Sequence, residues 1–201
     1  MISIKKLNVR KIGTLAAAAA LLSFLPALAH ARIGETEEQI EARYGKPREI
    51  ETSRGMVTVA ADGDPQSKYY NNSNMQIKIR YNETTKRSEH EEYNGVNQCL
   101  SSDAFEALMK ANAGEKTWVA KDFSSKDIDK CWNWSSDYNM KVWWLDDGSI
   151  CAIAYYRKEE KFDKANVRIL RFMTKEFAKA DYEQRLKDLR DAERRKAMEK
   201  F

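Results

Sequence analysis

A fixed spacing of 65 residues constrains this chain more than any other feature. It separates Thr36 from Ser101, Ile40 from Phe105, Tyr44 from Met109, Met75 from Met140 and Ile77 from Val142. The first three pairs fall in stretches with helix signals and the last two in stretches with strand signals. One offset that serves both kinds of element predicts an internal duplication. The fold class that follows is α+β: two tandem repeats, each a helix and then an antiparallel sheet, followed by a long C-terminal helix. Repeat one is expected over residues 32–98 and repeat two over 99–156, with a charged helical segment over 157–201.

The local chemistry fills in this plan. Thr36 is placed to cap a helix through Tyr44, with Gln39 at the reciprocal position and Glu37 and Glu38 against the positive end of the dipole. Gly45 and Pro47 end it. Met75, Ile77, Ile79 and Tyr81 alternate with Gln76, Lys78 and Arg80, the pattern of a strand with one wet face. Asp62 to Pro65 and Asn71 to Asn74 read as turns, and 87–93 as a polar strand. In repeat two, Ser101-Ser102 opens a helix through Ala111, and strands are expected at 117–120, 129–134, 140–145 and 150–156. The last two are joined at Asp147-Gly148. Beyond residue 156 there is neither Pro nor Gly, and the chain reads as helix from about Met173. Leu170, Met173, Phe177, Tyr182, Leu186 and Leu189 supply an apolar stripe at helical spacing.

Residues 1–31 read as a signal peptide. Lys5, Lys6, Arg10 and Lys11 precede the apolar run Leu15 to Phe24, which is shorter than a bilayer span, and Ala29-His30-Ala31 is a small-x-small cleavage site. The expected location is periplasmic or secreted, with no membrane span after cleavage. Those four basic residues account for the whole excess of 35 Lys and Arg over 31 Asp and Glu. The mature chain is therefore neutral, without the clustered basic charge of a nucleic-acid footprint. Within it the charge is uneven, since 157–201 is basic and 32–156 acidic, so tail and body attract. Cys99, Cys131 and Cys151 are an odd set and do not make a disulfide scaffold.

The offset also compares the two repeats. Lys78 and Arg80, on the wet face of their strand, correspond to Trp143 and Leu145, and all five tryptophans fall in repeat two. A sheet apolar on both faces needs a cover on each, which is either the C-terminal helix or a protein partner. The residues read as a partner-binding face are Trp132, Trp134, Trp143, Leu145 and Tyr155, since aromatic clusters anchor interfaces.

At Gly34-x-Thr36, Ile40 and Tyr44-Gly45-x-Pro47 the sequence resembles the start of a family of small exported bacterial domains. The family includes the small outer-membrane lipoprotein of the barrel-assembly machinery, and the tandem-repeat β-lactamase inhibitor protein is similar in plan. The resemblance implies a short helix against an antiparallel sheet, and a bias toward protein binding. Arg32 stands where the lipoprotein has its lipidated Cys, and repeat one has no Cys before Cys99, whereas the inhibitor's repeats are held by disulfides.

Signs of catalysis are sparse. His90 is the single histidine after residue 31, in Glu89-His90-Glu91-Glu92, where it reads as a solvated side chain on a polar strand with Glu89 and Glu91 sharing a face. One His does not make a zinc site, and no phosphate loop, nucleophile elbow or metalloprotease motif occurs. No catalytic residue, metal or cofactor is assigned. The leading expectation is an exported non-enzymatic binding or scaffolding domain. The alternatives are an enzyme with carboxylates in a cleft between repeats, or an envelope protein self-associating through its C-terminal helix.

Overall fold

The computed structural model describes residues 32–52, 55–58, 60–61, 63–72, 75–96, 99–121 and 137–198. The expected signal peptide, the expected strand at 129–134, Cys131, Trp132 and Trp134 lie outside the described residues. Among the described residues three α-helices, a large antiparallel sheet and a separate two-stranded hairpin make up the fold, which is α+β. The helices are α1 (Glu37–Tyr44), α2 (Ser102–Ala113) and α3 (Lys175–Met198). The strands are β1 (Glu49–Thr52), β2 (Gly55–Thr58), β3 (Ala60–Ala61), β4 (Asp64–Asn72), β5 (Met75–Tyr81), β6 (Ser88–Gly95), β7 (Trp118–Lys121), β8 (Tyr138–Leu145), β9 (Ile150–Arg157) and β10 (Ile169–Thr174). Among the described residues, no helix is long and apolar enough to cross a membrane.

Both short helices start where their caps dictate. The Thr36 hydroxyl accepts from the Gln39 amide at 3.5 Å while the Gln39 side chain accepts from the Thr36 amide at 2.9 Å, a reciprocal box that satisfies two otherwise orphaned donors. Ser101 caps α2 by accepting from the Ala104 amide at 3.1 Å. Gly45, at φ 80°, lets the chain leave α1 in a conformation that a side chain would strain. The two caps keep the 65-residue correspondence, as do Ile40 and Phe105, which share one core cluster.

The strands do not keep it. Ile77 belongs to the cluster under α1 and α2, whereas Val142 belongs to the cluster under α3, on the other face of the sheet. The offset matches β5 with β8, which are not equivalent strands: β5 neighbours the central β6, whereas β8 is separated from the central β10 by β9. The expectation of a separate sheet for each repeat also fails. β3 to β10 form one sheet in the order β3-β4-β5-β6-β10-β9-β8-β7, two antiparallel meanders joined through their last strands.

The join is made by β10, in a region read from sequence as largely helical. Ile169 to Met173 are five consecutive buried residues, and β10 pairs with β6 on one side and β9 on the other. A strand buried on both faces reads as a continuous apolar run, which periodicity alone cannot separate from a buried helix. Thr174 then starts α3 by accepting from the Phe177 amide at 3.2 Å. Only the two ends of β4 were read, each as a turn. Tyr70 is its one buried apolar side chain, and its strand character comes from pairing with β5.

One face of this sheet packs against α1 and α2 through Ile40, Phe105, Leu108 and Met109, over Tyr70, Ile77, Tyr93, Leu170 and Phe172. The small Ala152 and Ala154 on β9 let the Trp118 ring lie 5.9 Å from that of Phe172. On the other face α3 lays Phe177, Ala178, Tyr182, Leu186 and Leu189 against Val142, Cys151, Ile153, Tyr155, Ile169 and Met173. The C-terminal helix is therefore the cover that the second apolar face requires. Burying such surface stabilises by roughly 25 cal/mol per Å² of apolar area.

Candidate functional site

The α3-side face is divided along β10. Over β8 and β9 it is apolar and covered by α3. Over β4 to β6 it carries Ser67, Tyr69, Asn71, Gln76, Lys78, Arg80, His90, Glu92 and Asn94, by the same alternation that turns Tyr70, Ile77, Ile79 and Tyr93 to the other side. Tyr69, Gln76, Lys78, Arg80 and Asn94 are half-buried and Asn71 is exposed.

Where the polar half meets the start of α3 there is a cleft of ≈ 200 Å³, lined by side chains that include Asp64, Lys78, Arg80, His90, Phe177 and Arg185. Its floor is an ion pair on the dividing line. Arg171 Nε donates to Glu92 Oε2 at 2.6 Å, its Nη1 donates to the Tyr155 hydroxyl at 3.3 Å, and the guanidinium lies 5.1 Å from the Tyr155 ring centroid. Arg171 is 9% exposed and Glu92 7%, so the pair is shielded from water and each charge depends on its partner. At the cleft wall Arg80 pairs with Asp64, and its Nε donates to Glu89 at 3.1 Å. Asp181 on α3 accepts from Arg185 at 2.8 Å.

Phe177 is the hinge of the arrangement. Its ring stacks on His90 at 5.1 Å and 7°, and the Arg80 guanidinium lies 5.6 Å from its centroid. His90 is thus buried rather than solvated. Burial first, then the charges of Arg171, Lys78, Arg185 and Arg80, hold its pKa well below the usual imidazole range, so it is neutral. The neighbouring glutamates separate. A register shift between β5 and β6, where Arg80 faces His90 and Tyr81 faces Ser88, sends Glu89 to Arg80, while Glu91 turns under α1. Sharing a face, as the alternation from Glu89 to Glu91 suggested, is therefore not what occurs.

Glu91 is fully buried and accepts from the Tyr93 hydroxyl at 2.8 Å. Burial, opposed by hydrogen bonds from Tyr93 and Ser88 and helped by the charge of Glu35, raises its pKa to about 7. Among the described residues its Oε1 and the Nε of Arg43 have no hydrogen-bond partner. Nearby, the hydroxyls of Tyr70 and Tyr81 bond each other at 2.8 Å. This polar group lies in the core beneath α1, away from the cleft.

The described residues of the sequence-derived binding face do not form a common surface. Trp143 is 9% exposed, Leu145 2% and Tyr155 0%. Trp143 packs with Phe105 on the α2 side, and Tyr155 lies under α3 on the opposite side. The contrast between Lys78-Arg80 and Trp143-Leu145 compares opposite faces of the sheet, on strands that do not correspond. Cys151 is a buried free thiol, raised in pKa by burial, and Cys99 is also free. The cleft was missed because β4 and β10, which supply Asp64, Ser67 and Arg171, were not recognised as strands. The signal that could have found it was Lys78 and Arg80, already read as a wet face.

No protein-family model and no curated protein matches the chain. Among solved structures, a cysteine-rich secretory protein from Staphylococcus aureus is similar at a TM-score of 0.36 and 14% identity, over 72% of this chain and 44% of that one. The chain thus spans less than half of that protein's length, and a likeness of this size carries no argument about fold or function.

Proposed function

We propose that this chain is an exported, non-enzymatic binding or scaffolding domain that meets a protein partner on the polar half of its α3-side sheet face. The observation that carries the reading is the division of that face, with α3 covering the apolar half and Tyr69, Asn71, Gln76, Lys78 and Arg80 set on the other. Tyr and Arg held in place by a sheet give large contact area at low conformational cost, as interface anchors do. The carboxylates of the cleft argue against the enzymatic alternative. Asp64, Glu92 and Asp181 are each paired with an arginine, which engages the carboxylates that a general acid or base would have to present to a substrate. Self-association through α3 is disfavoured because its apolar stripe is spent on its own sheet. Two four-stranded meanders, each preceded by a helix, also support an origin in two related units, in a register other than the 65-residue offset.

The reading is tested with Lys78→Glu and Tyr69→Ala chains expressed in the source cell. Size-exclusion of the exported fraction should show the wild-type chain in a complex larger than itself, and both variants running free while keeping the wild-type circular dichroism. A wild-type chain that runs alone, or variants that stay in the complex, would refute it.

A further inference from the structure

On the side of the sheet opposite the polar cleft, α2, β8 and the turn after β9 border a shallow, open pocket of ≈ 330 Å³. Phe105 from α2, Trp143 from β8 and Phe162 from the turn form its aromatic wall, and Met109 also lines it. The three rings are tilted against one another, with centroids 6.1 Å apart for Phe105–Trp143, 6.2 Å for Phe105–Phe162 and 5.6 Å for Trp143–Phe162. Phe105 and Trp143 are buried, 4% and 9% exposed, while Phe162, which also meets the Tyr156 ring at 5.5 Å, is half-buried, so the pocket offers ring edges and part of the Phe162 ring to a further body.

The charges at the mouth restrict what that body is. Lys141 Nζ stands 4.4 Å from the Phe162 centroid and 5.6 Å from that of Trp143. Glu106, the acid of the pocket lining, is bound to Lys164 at 2.6 Å, so Lys141 meets rings and no carboxylate among the described residues. A cationic ligand would be repelled by Lys141, which already occupies the cation position over the rings. A wholly apolar ligand would strip water from the ammonium without replacing it. A flat apolar body bearing one anionic group satisfies both parts of the site, and a pocket of about 300 Å³ is at the lower end of the range for small-molecule sites.

We propose that this pocket binds a small amphiphilic carboxylate, its anionic group on Lys141 and its apolar body against Trp143 and Phe162. The site lies on the other face from the proposed partner surface, and either stands without the other.

The test is a titration of the full chain with 2-naphthoate, followed by the indole N–H shift of Trp143, with 2-naphthamide as the neutral counterpart. The expected result is saturable naphthoate binding, about tenfold weaker for the amide and about tenfold weaker in Lys141→Met, the worth of one charge-assisted hydrogen bond at a half-exposed site. Met keeps an apolar stem over the rings. If that variant fails to fold, the acid-to-amide comparison on the wild-type chain decides alone. Absence of saturable binding, equal affinity for acid and amide, or undiminished binding in a folded Lys141→Met chain would overturn the assignment.

Discussion

Replacing Glu91 with Gln should stabilise the protein at pH 8 and do little at pH 4.5. The side chain is fully buried beneath α1, and its pKa rises from the ordinary 4.5 to about 7, chiefly through burial. A carboxyl whose folded pKa is raised contributes its full stability below about 4.5. That contribution is lost as pH rises through about 7, because the unfolded chain then ionises more easily than the folded one. At ~1.36 kcal/mol per pKa unit, the penalty on the charged form approaches ~3 kcal/mol above pH 7, and relaxation of the site brings the expected gain to roughly 1–3 kcal/mol. Gln suits the position, since its carbonyl accepts from the Tyr93 hydroxyl that now binds Oε2, and its amide replaces the unpartnered Oε1 without a charge. Urea unfolding of both chains at pH 4.5 and 8 measures the difference. If the variant differs from wild type equally at the two pH values, the burial argument is wrong.

Further outcomes follow from the same structure. His90→Phe should keep the stack on Phe177 and flatten the loss of stability on acidification. A His whose folded pKa is depressed loses stability as pH falls below about 6.5, and comparison with wild type across pH 7 to 5 isolates this from the opposite slope of Glu91. Arg171→Met should destabilise by about 3–5 kcal/mol by stranding the Glu92 charge. The double change Arg171→Met with Glu92→Met should recover most of that in chemical unfolding; failure to recover would mean the cost lies in packing. Thr36→Ala should cost about 1 kcal/mol through loss of the cap, and a value near zero would show that α1 is held by Ile40 alone. Deleting residues 175–201 should expose the Trp144, Met140 and Ile153 surface that α3 covers, detectable as aggregation in light scattering; a monodisperse truncated chain would contradict that role for α3.

What the sequence displayed was local chemistry, and what it hid was pairing. The caps at Thr36 and Ser101, the alternation of Met75 to Tyr81 and the turn at Asp147-Gly148 depend on neighbours in the chain, and each is present. β4 was hidden because Gln66 to Asn72 hold few apolar residues, and a strand of that composition is specified by its partner β5. β10 was hidden for the opposite reason: Ile169 to Met173 are buried on both sides and show no alternation. With β10 unseen, the union of the two meanders and the place of Arg171 could not be inferred. The tail did reveal its dock, through the spacing of Phe177, Tyr182, Leu186 and Leu189 and through the apolar character of both faces of β9. The binding face read on Trp143 and Leu145 rested on an offset that holds at the helices but matches β5 with β8, strands that do not correspond in the two meanders and whose matched residues face opposite ways.

Site-specific photo-cross-linking in the source cell tests the central claim most directly. A photoreactive residue is placed in turn at Asn71 on the polar half-sheet, at Asp188 on the outer side of α3 and at Glu106 on α2, all three exposed. The account predicts one discrete adduct of higher mass from Asn71 and none from the other two. Adducts from Asp188 or Glu106 with none from Asn71 would contradict it.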